Sequence, residues 1–160
     1  MFHIILFAPQ IPPNTGNIIR LSANTGATLH LIEPLGFRLD EKSCRRAGLD
    51  YHALADLHLH KNLDDCMAAL YTARLFAITS HGTASVFDSQ FAPGDAFLFG
   101  SETAGLPDAV HARFNPSQKL LLPMIAGNRS LNLANAASIV VYEAWRQTGF
   151  AVAGKDSKFV

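Results

Sequence analysis

The sequence predicts a single α/β domain in which a parallel sheet is flanked by helices. Three observations carry that reading. Short apolar runs of β character alternate with longer stretches of helical spacing from one end of the chain to the other. The length, 160 residues, is that of one domain. The segments richest in Gly and polar residues fall just after strand-like runs, where open parallel sheets hold their ligands.

The elements follow in order. Phe2–Ala8 (FHIILFA) reads as a buried strand, after which Pro12 and Pro13 are expected to break the chain. Asn14–Thr25 has helical spacing, with Ile18, Leu21 and Thr25 along one face and Gly26 as a stop. Leu29–Glu33 (LHLIE) is a second strand, closed by Pro34 and Gly36. A helix bracketed by two strands is a βαβ unit, and that connection makes the strands parallel. Asp40–Ala47 reads as a short helix, Leu57–His60 (LHLH) as a strand and Leu63–Thr72 as a helix. Leu75–Thr79, Ala96–Phe99 and Leu120–Leu122 are strands, and Pro107–Arg113 is a short helix with Pro suited to its first turn. Ser130–Thr148 is a long last helix ended by Gly149, and residues 151–160 are expected to form a flexible tail. No repeat, low-complexity block or linker divides the chain, so residues 1–160 make one domain.

Composition narrows the function. At 49% apolar and 16% charged, with 13 basic and 13 acidic side chains, the chain is neither disordered nor basic enough to coat nucleic acid by charge alone. A nucleic-acid partner would need a local patch. The low charge points to apolar surface covered by another subunit. The last helix agrees, since its apolar residues from Leu131 to Trp145 are not confined to one stripe. Cys44 and Cys66 stand far apart with no CxxC, as free thiols of a reducing cytoplasm do. MFHIILFAPQ has no basic residue before its apolar run, so it is not a secretory signal. No apolar stretch approaches the ~18–20 residues of a membrane span. The expectation is a soluble, cytoplasmic protein.

Three segments are too polar for their surroundings: PNTGNIIR (Pro13–Arg20), FGSETAGLP (Phe99–Pro107) and PMIAGNRSLN (Pro123–Asn132). Gly100 and Gly105 have the GxxxxG spacing of a phosphate loop, but Leu106 and Pro107 stand where Lys and Ser/Thr belong. No GxGxxG occurs. Such a loop still offers backbone N–H and C=O groups close to a flat ligand, and an adenine ring can be read that way. Arg20 is either a surface residue or a clamp over the ligand edge of the sheet, while Glu102 could pair with it or cap the helix that follows. His58 and His60 alternate onto one face like a metal pair. No third ligand lies within reach by spacing, so no metal is expected. Arg38, Lys42, Arg45 and Arg46 recur at helical intervals, as a solvated face or as the best local phosphate-binding patch of the chain.

Together the three segments, with the last extended to LPMIAGNRSLNLANAASIVVYE, resemble the motifs of the SPOUT superfamily of RNA methyltransferases. The whole chain from Phe2 to Gly149 resembles the minimal TrmL type, tRNA ribose 2′-O-methyltransferases of the wobble nucleotide. IPPNTGNIIRLSANTG, GLDYH and the absence of an added domain carry this finer likeness.

The resemblance implies a parallel α/β sheet whose C-terminal part threads a loop as a deep trefoil knot, and a homodimer with the last helix in its interface. It implies S-adenosylmethionine as methyl donor. By motif the donor would touch Ile78, Thr79 and Ser80; Gly100, Glu102 and Gly105; and Leu122, Met124, Ser130 and Leu131. Arg20 matches the motif arginine, with Asn14, Ser130 and Asn132 orienting the ribose. A guanidinium stays protonated, so Arg20 is expected to bind a phosphate and stabilise the developing alkoxide rather than act as base. The anticodon loop of tRNA would meet Arg20, Arg38, Lys42, Arg45, Arg46, Arg129 and Tyr142, although Arg129 could instead face solvent and Tyr142 could plug the interface. The alternatives are a ribose methyltransferase for another tRNA or rRNA position, or a non-enzymatic RNA-binding protein on the same fold. In a dimer, neutrality is compatible with RNA, because two copies of the basic residues can share one substrate.

Overall fold

The computed structural model of the chain describes residues 1–38, 57–71 and 73–151. Its strands are β1 (His3–Phe7), β2 (Thr28–Ile32), β3 (Leu57–His60), β4 (Leu75–Ile78), β5 (Ala84–Ser85), β6 (Ala96–Phe99) and β7 (Lys119–Leu121). Its α-helices are α1 (Pro12–Thr25), α2 (Leu63–Ala69), α3 (Asp108–His111) and α4 (Leu133–Gln147). The strands form one seven-stranded sheet in the order β3-β2-β1-β6-β4-β7-β5. Every pairing in it is parallel.

Alternation along the strands builds two cores. Ile4 and Leu6 of β1 face the same side as Leu29, Leu31, Phe97 and Phe99, where Ile18, Ile19 and Leu21 of α1 and Val140, Val141 and Ala144 of α4 cover them. Ile5, Ile32, Ala77 and Leu98 face the other side, under Leu63 and Cys66 of α2 and Val110 of α3. Central strands covered on both faces read as unbroken apolar runs, which is why HIILF and AFLF were recognisable. Arg74 and Asp95 fasten the lower edge, with Nε and Nη2 donating to the buried carboxylate over 2.7 and 2.6 Å.

Several boundaries differ from expectation for local reasons. The Pro pair starts α1 rather than breaking the chain before it: both prolines occupy the first helical positions, where a missing N–H costs nothing. The last helix begins at Leu133, not Ser130, because Asn132 caps it by accepting from the N–H groups of Ala134 and Asn135. β1 stops at Phe7 because Ala8 adopts φ +48°. α2 ends three residues before Thr72, its last turn closed by Leu70 on the carbonyls of Cys66 and Met67. The two-residue β5 and the 3-10 turn Val86–Asp88 had no apolar run to announce them. The expected helix Asp40–Ala47, Cys44 and the 152–160 part of the tail lie outside the described residues.

α4 is less uniformly buried than its composition implied. Leu133, Ala134, Ala137, Val140, Val141 and Ala144 are buried against the sheet and α1, while Ile139 and Tyr142 remain exposed on the outer face.

Candidate active site

The three polar segments converge beyond the carboxyl ends of β4, β6 and β7. The topology puts them there, since strand order reverses around β1 and leaves a crevice over this edge. The crevice is a cavity of about 710 Å³. Its walls are Ile78–His81 after β4, Phe99–Leu106 after β6, and Leu122, Met124 and Arg129–Leu133 after β7. Ile11 and Asn14 from the head of α1, His111 of α3 and Ala136 of α4 complete it.

Every residue named for the methyl donor lies in this lining: Ile78, Thr79, Ser80, Gly100, Glu102, Gly105, Leu122, Met124, Ser130 and Leu131. Asn14, Asn132 and Arg129 join them. Arg20, Arg38 and Tyr142 do not line the cavity. Arg20 sits on the exposed side of α1; six residues of helix carry it ~9 Å along the axis and ~120° around it from Asn14. It is therefore turned away from Asn14 and lies outside the cavity lining. Arg38 is exposed, and Lys42, Arg45 and Arg46 fall outside the described residues.

The Phe99–Pro107 loop is shaped by its glycines. Ser101 and Gly105 exchange N–H···O=C bonds of 3.1 and 2.9 Å, folding the loop back on itself. Gly105 turns at φ +68°, and a Cβ at Gly100 would strike the backbone of Gly105 and Leu106. The hairpin leaves backbone N–H and C=O groups at the cavity rim.

Glu102 has a different role from either expected one. It accepts from Gln10 N–H at 2.8 Å, Ile11 N–H at 3.2 Å and Asn14 Nδ2 at 3.0 Å, so it ties down the entry to α1, the helix that precedes it in the chain. Asn14 passes the network on by accepting from Asn132 Nδ2 at 2.8 Å. One carboxylate and two amides thus lock the heads of α1 and α4 to the glycine loop.

His81 and His111 were not anticipated. Their rings lie 5.3 Å apart at the cavity wall. Burial holds the His111 imidazole below its ordinary range, and the neighbouring His81 and Lys119 push the same way. Its Nδ1 is buried with no hydrogen-bond partner among the described residues. Nothing in the local sequence distinguished these histidines, since the sheet alone brings the Ile78–His81 turn to α3.

A parallel sheet with a cavity at the carboxyl ends of its strands, lined by a glycine loop that lacks the phosphate-loop motif, is the architecture of an α/β enzyme. Comparison with known proteins makes this specific. The family described as SpoU rRNA Methylase matches residues 1–142, and the chain belongs to that family. A tRNA (cytidine(34)-2′-O)-methyltransferase of Burkholderia ambifaria is 59% identical over 152 residues, spanning 94% of this chain and 97% of that protein. A structure solved for the 2-OH methylation of C/U34 on tRNA superposes with a TM-score of 0.85 at 46% identity, covering 93% of this chain and 97% of the other. The methyltransferase AviRb of Streptomyces viridochromogenes, solved with AdoMet, superposes with a TM-score of 0.78 at 29% identity, over 91% of this chain and 57% of its own.

Proposed function

We propose that this protein transfers a methyl group from S-adenosylmethionine to the ribose 2′-hydroxyl of the wobble nucleotide of tRNA, a cytidine or a modified uridine. The observation that carries the reading is the single cavity lined by all three motif segments, in a chain whose relatives of equal length are named for this reaction.

One feature of the cavity fits the donor. The Gly100–Gly105 hairpin is closed so tightly that a side chain at Gly100 would strike its backbone, and this close-packed glycine loop lines the cavity, where backbone groups can read an adenine edge. When bound, the donor supplies a sulfonium methyl for in-line displacement by the ribose oxygen.

The protein's own residues then have defined tasks. Ile78, Leu122 and Leu131 provide apolar walls, and the glycine loop holds the base. Asn14 and Asn132, fixed by each other and by Glu102, orient the ribose together with Ser130. Alignment of this kind supplies the main catalytic term, because the displacement needs the reacting atoms held in line. Arg20 stays cationic, binds the phosphate next to the reacting ribose and stabilises the oxyanion as its proton leaves for phosphate or water.

Arg20 stands off the cavity of its own chain, so a second copy completes the arrangement. A homodimer built on the outer face of α4, where Ile139 and Tyr142 are exposed, is the assembly we propose. In it Tyr142 meets the interface, and Arg38, Arg129 and the Lys42, Arg45, Arg46 group face the anticodon loop. The chain leaves β7 between β4 and β5 and returns to pack α4 on α1, which is compatible with the trefoil knot we assign to the C-terminal part. No helix among the described residues is long and apolar enough to cross a membrane, and we place the enzyme in the cytoplasm with its tRNA.

The test is methyl transfer from labelled S-adenosylmethionine into bulk tRNA, followed by mapping of the modified nucleotide. Label on the 2′-oxygen of the wobble nucleotide is expected. Label at another position would move the target, and no incorporation into any tRNA would remove the proposal.

A further inference from the structure

A second cluster of reactive side chains stands under α2 and shares no residue with the methyl-transfer cavity. The parallel register pairs His30 with His58 and Ile32 with His60, so His30 and His60 point to one face. The first turn of α2 lowers Cys66 onto that face. A ring nitrogen of each histidine and the Cys66 sulfur all lie within 4.8 Å of one another. His30 is 4% exposed and Cys66 0%.

We propose that His30, His60 and Cys66 form a binding site for a borderline-soft divalent cation, Zn²⁺ being the best match, with water in the fourth position. The chemistry of the donors selects the metal class: two imidazoles and a thiolate suit zinc and its neighbours, and exclude magnesium and calcium, which take oxygen ligands.

The geometry is close to what the ion requires. His30 Nδ1 and His60 Nε2 face each other at 3.0 Å. Tetrahedral zinc with bonds of ~2.0–2.1 Å to nitrogen and ~2.3 Å to sulfur separates nitrogens by ~3.3 Å and nitrogen from sulfur by ~3.5 Å. The rings must part by a few tenths of an ångström, and the sulfur, within 4.8 Å of both nitrogens, must approach by up to about 1.3 Å.

A third histidine holds the ligand ring in place. His30 Nε2 lies 3.2 Å from His3 Nδ1. A ligating histidine that donates its other ring N–H to a fixed acceptor is held in one tautomer, the usual outer-shell arrangement of a metal site. Without metal, one proton between His60 and His30 and one between His30 and His3 satisfy the chain of rings. The metal replaces the first proton, which moves to the far nitrogen of His60, and leaves the second untouched. Cys66 loses its S–H proton to water as the sulfur–metal bond forms. Burial keeps the free thiol protonated, pushed up to about 11, and keeps His30 neutral, pushed down to about 3.

The site explains an otherwise weak corner of the fold. β3 is a four-residue strand with Leu59 exposed, and among the described residues it is the last strand on its side of the sheet. An ion bound to His30, His60 and Cys66 ties β2, β3 and α2 together, so its role is structural rather than catalytic.

The test uses the full chain stripped with a chelator and titrated with Co²⁺, then Zn²⁺. One equivalent of Co²⁺ is expected to bind with a thiolate-to-metal charge-transfer band, which Zn²⁺ abolishes by displacement. Zn²⁺ is expected to raise the melting temperature. Cys66→Ser should lose the band, and His60→Ala should weaken binding beyond the ~10–100-fold typical of outer-shell changes, while His58→Ala should keep both band and affinity. The wild-type spectrum depends on no variant folding: absence of the charge-transfer band there overturns the proposal. So does a Cys66→Ser chain that binds Co²⁺ with the same affinity and spectrum.

Discussion

Asn132 Nδ2 donates to Asn14 Oδ1 over 2.8 Å, joining residues 118 positions apart. The same Asn132 caps α4 through its Oδ1, and the same Asn14 donates to Glu102. The pair therefore couples two helix heads, and its members should not behave independently. Asn132→Ala should cost about 1–2 kcal/mol by loss of the cap and the amide bond. Asn14→Ala should cost about 1 kcal/mol, and the double variant less than the sum, with an interaction of roughly 0.5–1 kcal/mol in urea unfolding. Strict additivity would mean the two amides do not communicate.

The glycine loop offers a cleaner separation of space from backbone conformation. A Cβ at Gly100 would meet backbone atoms that cannot swing aside, whereas one at Gly105 would meet nothing within 4 Å but sit at φ +68°. Gly100→Ala should thus open the hairpin and weaken S-adenosylmethionine binding at least tenfold, about 1.4 kcal/mol. Gly105→Asn should be milder than Gly105→Ala, because Asn tolerates the left-handed region. Calorimetric titration of the cofactor compares all three, and equal losses at Gly105 would refute the conformational argument.

These residues also show what the sequence could and could not reveal. Local order was legible where one physical signal dominated: continuous apolar runs for β1 and β6, whose strands are buried on both faces, and Gly26 closing α1 at φ +71°. Two walls of the cavity and its α1 corner were legible because the segments Pro13–Arg20, Phe99–Pro107 and Pro123–Asn132 each carry an anomaly of composition, whereas Ile78–Ser80 came only from the family resemblance. Arg20 stayed open between surface and clamp, since spacing along α1 gives its distance from Asn14 but the side of the helix needs the helix's orientation in the fold. The histidine–cysteine cluster was invisible for a related reason. His30, His60 and Cys66 meet through strand register and the descent of α2, and no interval along the chain encodes either.

Under the proposed function, a change at Arg20 should separate binding from chemistry. It lies outside the cavity lining, so Arg20→Ala should leave S-adenosylmethionine affinity within about twofold while lowering methyl transfer by roughly 100-fold or more, as loss of a transition-state contact does. Arg20→Lys should recover little if the planar fork is what grips the phosphate. Substantial activity in the lysine variant would show that charge alone suffices, and loss of cofactor binding in the alanine variant would reassign the residue to the cavity.

Acid stability should depend on Glu143. Its carboxylate accepts from Arg146 Nε and Nη2 at 2.9 Å each and from Gln147 Nε2 at 2.8 Å. Gln147 in turn accepts from Phe91 N–H and donates to the carbonyl of Ser89, so the cluster fixes the end of α4 to the segment after the Val86–Asp88 turn. Arg146 first, then Gln147, holds the Glu143 carboxyl below its ordinary value of 4.5. The unfolded chain therefore takes up this proton at a higher pH than the folded one. The stability it contributes is complete above the ordinary carboxylate value and is lost as pH falls through the folded one. Melting temperatures recorded from about pH 7 to about pH 3 should fall more steeply in the wild type than in Glu143→Gln, which has no proton to gain. The glutamine variant should start lower at neutral pH, where it lacks the charge-assisted bonds to Arg146. Parallel curves would show that the acid limb belongs to other carboxylates.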